Sequence, residues 1–169
     1  MDIGVISDSH DQIHQLEKVV DKLNAHNVEL VIHCGDWVSP FTLVYLKALK
    51  APIKGIFGNN DGDKIRHRQL AQHLQLNIQV EERFLQLKVD NKNIAVIHGE
   101  DPEIVKALVT CGNYDLVLHG HTHQPIKTYH QQTLSLNPGS LLEKTTPQIT
   151  GASFAIYNSS SHTASHHEL

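Results

Sequence analysis

Three histidines stand at every second position in His119-Gly120-His121-Thr122-His123, directly after the apolar run Leu116-Val117-Leu118. In an extended segment residues i and i+2 point the same way, so His121 and His123 are expected to reach one place beyond a strand end. Neutral imidazole is the commonest side-chain ligand for zinc, iron and similar ions. One His-x-His is a weak signal, but four other apolar runs end in groups of the same kind: Asp8 and His10, Asp36, Asn59, and His98. Alone, Asp8 can also be read as a helix N-cap, and Gly58-Asn59-Asn60-Asp61 reads as a turn. Seven metal-capable groups, each ending a predicted buried strand, point instead to a metal site, because histidine is an uncommon choice where only a turn is needed. Asp36 is expected to be exposed at its strand end, where open α/β sheets place ligands, and its two oxygens can bridge two cations. The other ten histidines read as core or surface residues; of these, His33 and His119 are placed to touch the ligands rather than an ion. His67 and His73 are expected to be solvated.

The elements that must position these groups follow from periodicity. Asp2 to Ser7, Leu30 to Cys34 and Pro52 to Phe57 read as buried strands. Helices are expected from Ile13 to about Asn27, with Ile13, Leu16, Val19, Val20 and Leu23 inward, then after Pro40 with Leu43, Leu46 and Leu49 inward, and from Lys64 to His73. Trp37 reads as a packing residue at the mouth of the site. Phe84 to Val89 and Ile94 to Ile97 read as a hairpin, followed by a helix from Pro102 to Cys111 and the strand Leu116 to Leu118. A second hairpin is expected at 126–130 and 133–136, and a last strand at Ser153 to Tyr157. One domain is expected over residues 1–157, and the polar Ser/His-rich stretch 158–169 reads as a disordered tail.

Composition bounds the function. The chain has 169 residues, 40% hydrophobic and 19% charged, with a formal net charge of −4. That is an ordinary globular composition, and it argues against a broad basic face for stable nucleic-acid binding. Cys34 and Cys111 are too few for a disulfide framework and read as reduced core thiols in a cytoplasmic protein. There is no signal-peptide pattern, and no run approaches ~18 apolar residues, so no membrane association is expected.

Asp8-Ser9-His10, Gly35-Asp36, Gly58-Asn59-Asn60-Asp61, His98-Gly99 and Gly120-His121-Thr122-His123 occur in that order over residues 8–123. As a set they resemble the motifs of the calcineurin-like metallophosphoesterases. The short chain and Asn137-Pro138-Gly139-Ser140 are similar to the small bacterial and archaeal phosphodiesterase branch. The resemblance implies an α/β fold, a four-layer αββα sandwich of two mixed β-sheets packed face to face with helices outside. It implies two divalent metal ions, Mn2+ foremost, with Fe, Zn2+ or Ni2+ as alternatives. One ion would take Asp8, His10, Asp36 and His123; the other would take Asp36, Asn59, His98 and His121. Asp36, as the bridge, and Asn59 would be the catalytic residues, with Asn60, Asp61, His33 and His119 around them. The implied activity is phosphodiester hydrolysis by a hydroxide held between the ions, on a small-molecule or nucleotide diester. A phosphomonoesterase, or a non-enzymatic scaffold that keeps the fold, is the alternative. A homo-oligomer is left open.

Two ions roughly 3.5–4 Å apart lower the pKa of a shared water and offset charge in the transition state. Two carboxylates and one hydroxide against them leave about +1, which attracts phosphate to an acidic protein. Two departures stand out. Asn60 occupies a position where many relatives carry a histidine thought to assist the leaving group, and Glu100 replaces another histidine after His98-Gly99. Asp61, the other polar group of that block, is expected to be ionised unless buried.

Overall fold

Short runs rich in Val, Ile and Leu cannot bury both faces on their own, and here they do so as central strands of two stacked sheets. In the computed structural model, which describes residues 1–144 and 151–169, the first half alternates strands and helices. These are β1 (Asp2–Ile6), α1 (Ile13–Ala25), β2 (Leu30–His33), a 3-10 helix (Pro40–Leu46), β3 (Ile53–Ile56), α2 (Lys64–His73) and β4 (Ile78–Glu81). The second half adds β5 (Phe84–Val89), β6 (Lys92–Ile97), α3 (Pro102–Thr110), β7 (Leu116–Leu118), β8 (Pro125–His130), β9 (Thr133–Pro138), β10 (Ser153–Asn158) and β11 (Thr163–Glu168).

The first sheet has the order β11-β10-β1-β2-β3-β4, with β1 to β4 parallel and β10 and β11 antiparallel to their neighbours. The second has the order β5-β6-β7-β9-β8, parallel at its centre and closed at each edge by a hairpin. Ile3, Val5, Ile32 and Ile56 of the first sheet meet Ile94, Val96, Leu118 and Leu136 of the second in one buried cluster. A second cluster joins the other face of the first sheet to Leu16, Val19, Val20 and Leu23 of α1, Leu43 and Leu46 of the 3-10 helix and Ala71 of α2. Each such Val, Leu or Ile side chain contributes roughly 1.5–3 kcal/mol by leaving water. With α3 against the second sheet, the expected sandwich is the observed fold. Among the described residues no helix is long and apolar enough to cross a membrane.

Several local expectations are corrected. The helix after Pro40 is a 3-10 helix, capped by Ser39 Oγ, which accepts the Phe41 N–H at 3.3 Å, and by Pro40 at its first turn. Seven residues is long for this tighter coil, which usually runs in pieces of about 3–4. Ile13 does not face the core; it begins α1 above the sheet end and is 42% exposed. Asp8 caps no helix, since α1 starts after Gln12. His67 is buried, its ring edge-on to Trp37 and Phe57 at centroid distances of 5.1 and 5.2 Å. His73 is exposed, as expected. Cys34 is buried but Cys111 is exposed, because α3 lies on the second sheet without fully burying any residue.

The polar stretch 158–169 is ordered rather than disordered: β11 pairs with β10 from Ser153↔Glu168 to Asn158↔Thr163. An edge strand needs backbone partners and only one covered face, so its composition hides it. Ala164 is buried, the His167 ring stacks on Phe154 at 5.1 Å, and His166 Nε2–H donates to the Asn137 carbonyl at 2.7 Å. β4, the opposite edge, had no sequence expectation at all.

Candidate metal centre

Parallel strands put their C-terminal ends on one side. β1, β2 and β3 of the first sheet and β6 and β7 of the second end at the same edge of the sandwich. Asp8, His10, Asp36, Asn59, His98, His121 and His123 follow those ends, and the structure brings all seven together. The two sheets are tied there by His98 Nδ1–H donating to the Cys34 carbonyl at 2.8 Å and by the His121 N–H donating to Asp8 Oδ2 at 3.0 Å.

The local geometry differs from the extended one expected. Asp8, His10, Asp36, His121 and His123 all have positive φ, at 51°, 40°, 60°, 66° and 57°. Non-glycine residues pay for this conformation, and it concentrates at functional sites. As a result His121 and His123 do not reach the same atoms. His123 Nε2 lies 3.2 Å from Asp8 Oδ1 and 3.3 Å from His10 Nε2. His121 Nδ1 lies 3.0 Å from Asn59 Oδ1, which is 3.1 Å from His98 Nε2. Asp36 Oδ2 stands between the groups, 3.5 Å from His10 Nε2 and 3.3 Å from His98 Nε2. Asp36 is buried, not exposed at the mouth. Asp8 also approaches the second group, its Oδ1 3.9 Å from His98 Nε2.

These residues fit a cation. Asp8 Oδ1 is buried with no hydrogen-bond partner of acceptable geometry, a costly state for a carboxylate oxygen unless a positive charge faces it. The other oxygen is used: Ser7 Oγ–H donates to Asp8 Oδ2 at 2.5 Å beside the His121 N–H. Ligand atoms of Asp8, His10 and His123, and separately of Asp8, Asp36 and His98, lie within 4.8 Å of one another. The His98 Nδ1 proton is committed to a carbonyl, so its Nε2 lone pair is free when the ring is neutral. Burial would raise Asp8, but the imidazoles of His10, His123 and His98 and the Ser7 hydroxyl outweigh it and hold the carboxyl well below its usual range. Burial opposes Asp36 in the same way, and His98 and Asn60 bring it down to about 2. Burial would lower His98, yet Asp36 and Asp8 push it up to about 9. The pocket is a sink of negative potential.

Around it stand the four residues expected to touch the ligands. Asn60 holds Asp36 with both its amides, N–H to Oδ1 at 2.8 Å and Nδ2–H to Oδ2 at 2.6 Å. Asp61 is buried and accepts the N–H groups of Asp36, Val38 and Gly58 at 2.9, 2.7 and 2.7 Å; burial raises its pKa against those donors. His33 Nδ1 accepts the Gly35 N–H, and its Nε2–H donates to Ser9 Oγ, which donates to the Asp36 carbonyl. Burial lowers His33 to about 3 and His119 to about 4, so both are neutral braces. Trp37 is buried and stacks on His33 at 3.6 Å.

Sequence reasoning missed Ser7 and Asn137. Asn137 Nδ2 donates to the Gly120 carbonyl at 2.7 Å and to Thr122 Oγ1 at 3.1 Å, fixing the loop that carries His121 and His123. The Asn-Pro-Gly-Ser block had marked only a branch likeness. Two glycines are needed for close approach. A Cβ at Gly120 would collide with Ser7 Oγ and Asp8 Oδ2, and one at Gly58 with Asp36 Oδ1 and, at 2.8 Å, His98 Nε2.

Two mixed sheets face to face, with carboxylates, imidazoles and an amide converging at their shared end, define the metal-dependent phosphoesterase class of α/β proteins. Residues 1–161 match the calcineurin-like phosphoesterase superfamily domain. A phosphodiesterase of Methanocaldococcus jannaschii is 32% identical over 139 residues, which is 82% of this chain and 83% of that protein. A solved structure described as a novel archaeal phosphodiesterase superposes with a TM-score of 0.91 at 28% identity and covers 100% of both chains. The zinc complex of Vps29 from Entamoeba histolytica has a TM-score of 0.69 at 19% identity over 100% of this chain and 98% of its own, a likeness of fold alone. The chain belongs to the calcineurin-like phosphoesterase superfamily.

Proposed function

We propose that this protein is a phosphodiesterase that works with two divalent ions, Mn2+ foremost and Fe, Zn2+ or Ni2+ as alternatives, on a small-molecule or nucleotide diester. The observation that carries this reading is Asp36 Oδ2 at 3.5 Å from His10 Nε2 and 3.3 Å from His98 Nε2, beside the unpartnered Asp8 Oδ1. One carboxylate thus faces both ligand groups. The phosphodiesterase from Methanocaldococcus jannaschii supports the choice of substrate class. Asp8, His10, Asp36 and His123 would hold one ion, and Asp36, Asn59, His98 and His121 the other. When bound, the ions would supply an activated water at neutral pH and positive charge for the phosphoryl oxygens.

The protein's own part is orientation. Ser7 and the His121 N–H hold Asp8 so that Oδ1 faces the imidazoles. Cys34 fixes the His98 tautomer, and Asn59 Oδ1 lies between the His98 and His121 nitrogens. No side chain of the Gly-Asn block is set up to protonate a leaving group: Asn60 is a neutral amide bound to Asp36, and the Asp61 oxygens accept three backbone N–H groups. A diester also suits a site of about +1 better than a dianionic monoester. A cytoplasmic location agrees with two free cysteines.

The test compares bis(p-nitrophenyl) phosphate with p-nitrophenyl phosphate at one Mn2+ concentration. Higher kcat/KM for the diester is expected; a higher value for the monoester would reverse the reading to a phosphomonoesterase. No turnover of either with any of the four metals would favour a scaffold.

A further inference from the structure

A hollow of about 270 Å³ lies on the two chain segments that lead out of the metal centre. Its walls come from the β1–α1 loop, which carries Asp8 and His10, and from the segment after Asp36. Asp11 directly follows His10, and Ser39 lies three positions after Asp36. The two loops are clamped together there, because the Ser39 N–H donates to Asp11 Oδ1 at 2.8 Å. Resting on the proposed function, we propose that this hollow is the subsite for an aromatic ring of the diester, an aryl group or a nucleobase, with Phe41 as its stacking platform.

Three features point to a ring. The lining is apolar where a soluble surface has little reason to be: Phe41 is 66% exposed, Ile13 42% and Val44 41%, with half-buried Tyr45 beside them. Together Ile13, Phe41 and Val44 are three of the seven large apolar side chains exposed among the described residues. No lysine, arginine or histidine lines the hollow, and its one carboxylate is Asp11. A second phosphate would therefore be repelled, whereas a neutral ring meets apolar surface and hydroxyls, with the Asp11 carboxylate partly engaged by the Ser39 N–H. Finally, the fold does not use the Phe41 side chain. The 3-10 helix is held by the Ser39 cap, by Thr42 Oγ1–H donating to the Ser39 carbonyl at 2.8 Å, and by buried Leu43 and Leu46.

The experiment uses the full chain, with diphenyl phosphate and diethyl phosphate as probes whose basic leaving groups make them slow to turn over. Saturation-transfer NMR reads contact with the phenyl protons without any metal, and competition against bis(p-nitrophenyl) phosphate with Mn2+ reads affinity. Wild type should saturate the phenyl protons and bind diphenyl phosphate more tightly than diethyl phosphate. Phe41→Ser should cut the saturation and narrow that preference by roughly fivefold or more, the scale of one lost ring–aromatic stack. Phe41→Trp should keep both, and the distant Tyr129→Ser should change neither. An unchanged preference in Phe41→Ser would overturn the proposal. So would a Phe41→Ser protein that alters only its sedimentation, since that would make the patch a contact between two copies. Failure of wild type to hydrolyse any ester would count against the proposed function, while the saturation readout, which needs no turnover, still decides the hollow.

Discussion

Asn60 and Asp61 separate two jobs that a Gly-Asn block can do. Asn60 gives Asp36 two hydrogen bonds but offers no proton at neutral pH. A positioned general acid contributes about 10²–10⁴-fold, mostly where the leaving oxygen is basic. The rate over a series of aryl and alkyl diesters should therefore fall steeply as the leaving group's pKa rises, wherever chemistry limits turnover. Asn60→His should help alkyl esters more than nitrophenyl ones. A flat dependence in wild type would show that another acid is present. Asp61 makes a different prediction. Its two oxygens accept three N–H groups, from Val38, Asp36 and Gly58. Asp61→Asn keeps the shape but turns an NH2 toward those donors, leaving at least one buried N–H unpaired at a cost of about 1–3 kcal/mol. A lower melting temperature together with reduced activity is expected, because Asp36 loses the anchor of its own backbone. An unchanged melting temperature would mean the carboxylate is not needed there.

At the scale of elements, α2 is the informative case. It shows a weak apolar pattern, and the residues it buries are His67 and Ala71. Neither ring nitrogen of His67 has a hydrogen-bond partner, and burial, with Arg68 nearby, lowers its pKa from 6.5 to about 4. The unfolded chain then binds more protons than the folded one between about pH 6.5 and 4. Stability is full above the upper value and is lost as pH falls through that window. His33 and His119 are lowered too and act in the same direction. His67→Phe should keep the edge-on contacts with Trp37 and Phe57 and remove one share of the loss. The measurement is denaturant unfolding at pH 7.5, 6 and 5 for both proteins. The wild type should lose on the order of 2 kcal/mol more than the variant. Parallel curves would mean that His67 is protonated in the folded state as well.

At the scale of the whole molecule, the centre is a joint between sheets. Asp8, His10, Asp36 and Asn59 come from the first sheet, and His98, His121 and His123 from the second. A ligand that binds only the assembled joint stabilises the fold by mass action, about 2.7 kcal/mol at a hundredfold excess over Kd. In a chain of this size that is a rise in melting temperature of roughly 5–10 °C. Mn2+ should produce it and a chelator should reverse it. Elemental analysis after reconstitution should find close to two ions per chain, and Asp36→Asn should lose at least one along with activity. A stable value of one in wild type would remove the bridging role proposed for Asp36.

The residue types and the strand ends were legible in the chain itself, because both are local. An apolar run of four to six residues announces a strand, and the polar groups that stop it announce what stands at its end. That was enough to name Asp8, His10, Asp36, Asn59, His98, His121 and His123; the two-sheet sandwich was expected only through the family resemblance that those motifs carry. Tertiary structure alone decided how those groups face one another. The left-handed backbone at His121 and His123 depends on the His121 N–H reaching Asp8 Oδ2, 113 positions away. The His98 tautomer depends on the Cys34 carbonyl, 64 positions away. Asn137 acts through Gly120 and Thr122, β11 exists because β10 offers it a backbone edge, and His67 is buried because Trp37 and Phe57 close over it. Most are contacts between residues far apart in the chain, of which periodicity carries no trace; β11 is a local hairpin strand, hidden instead by its polar composition.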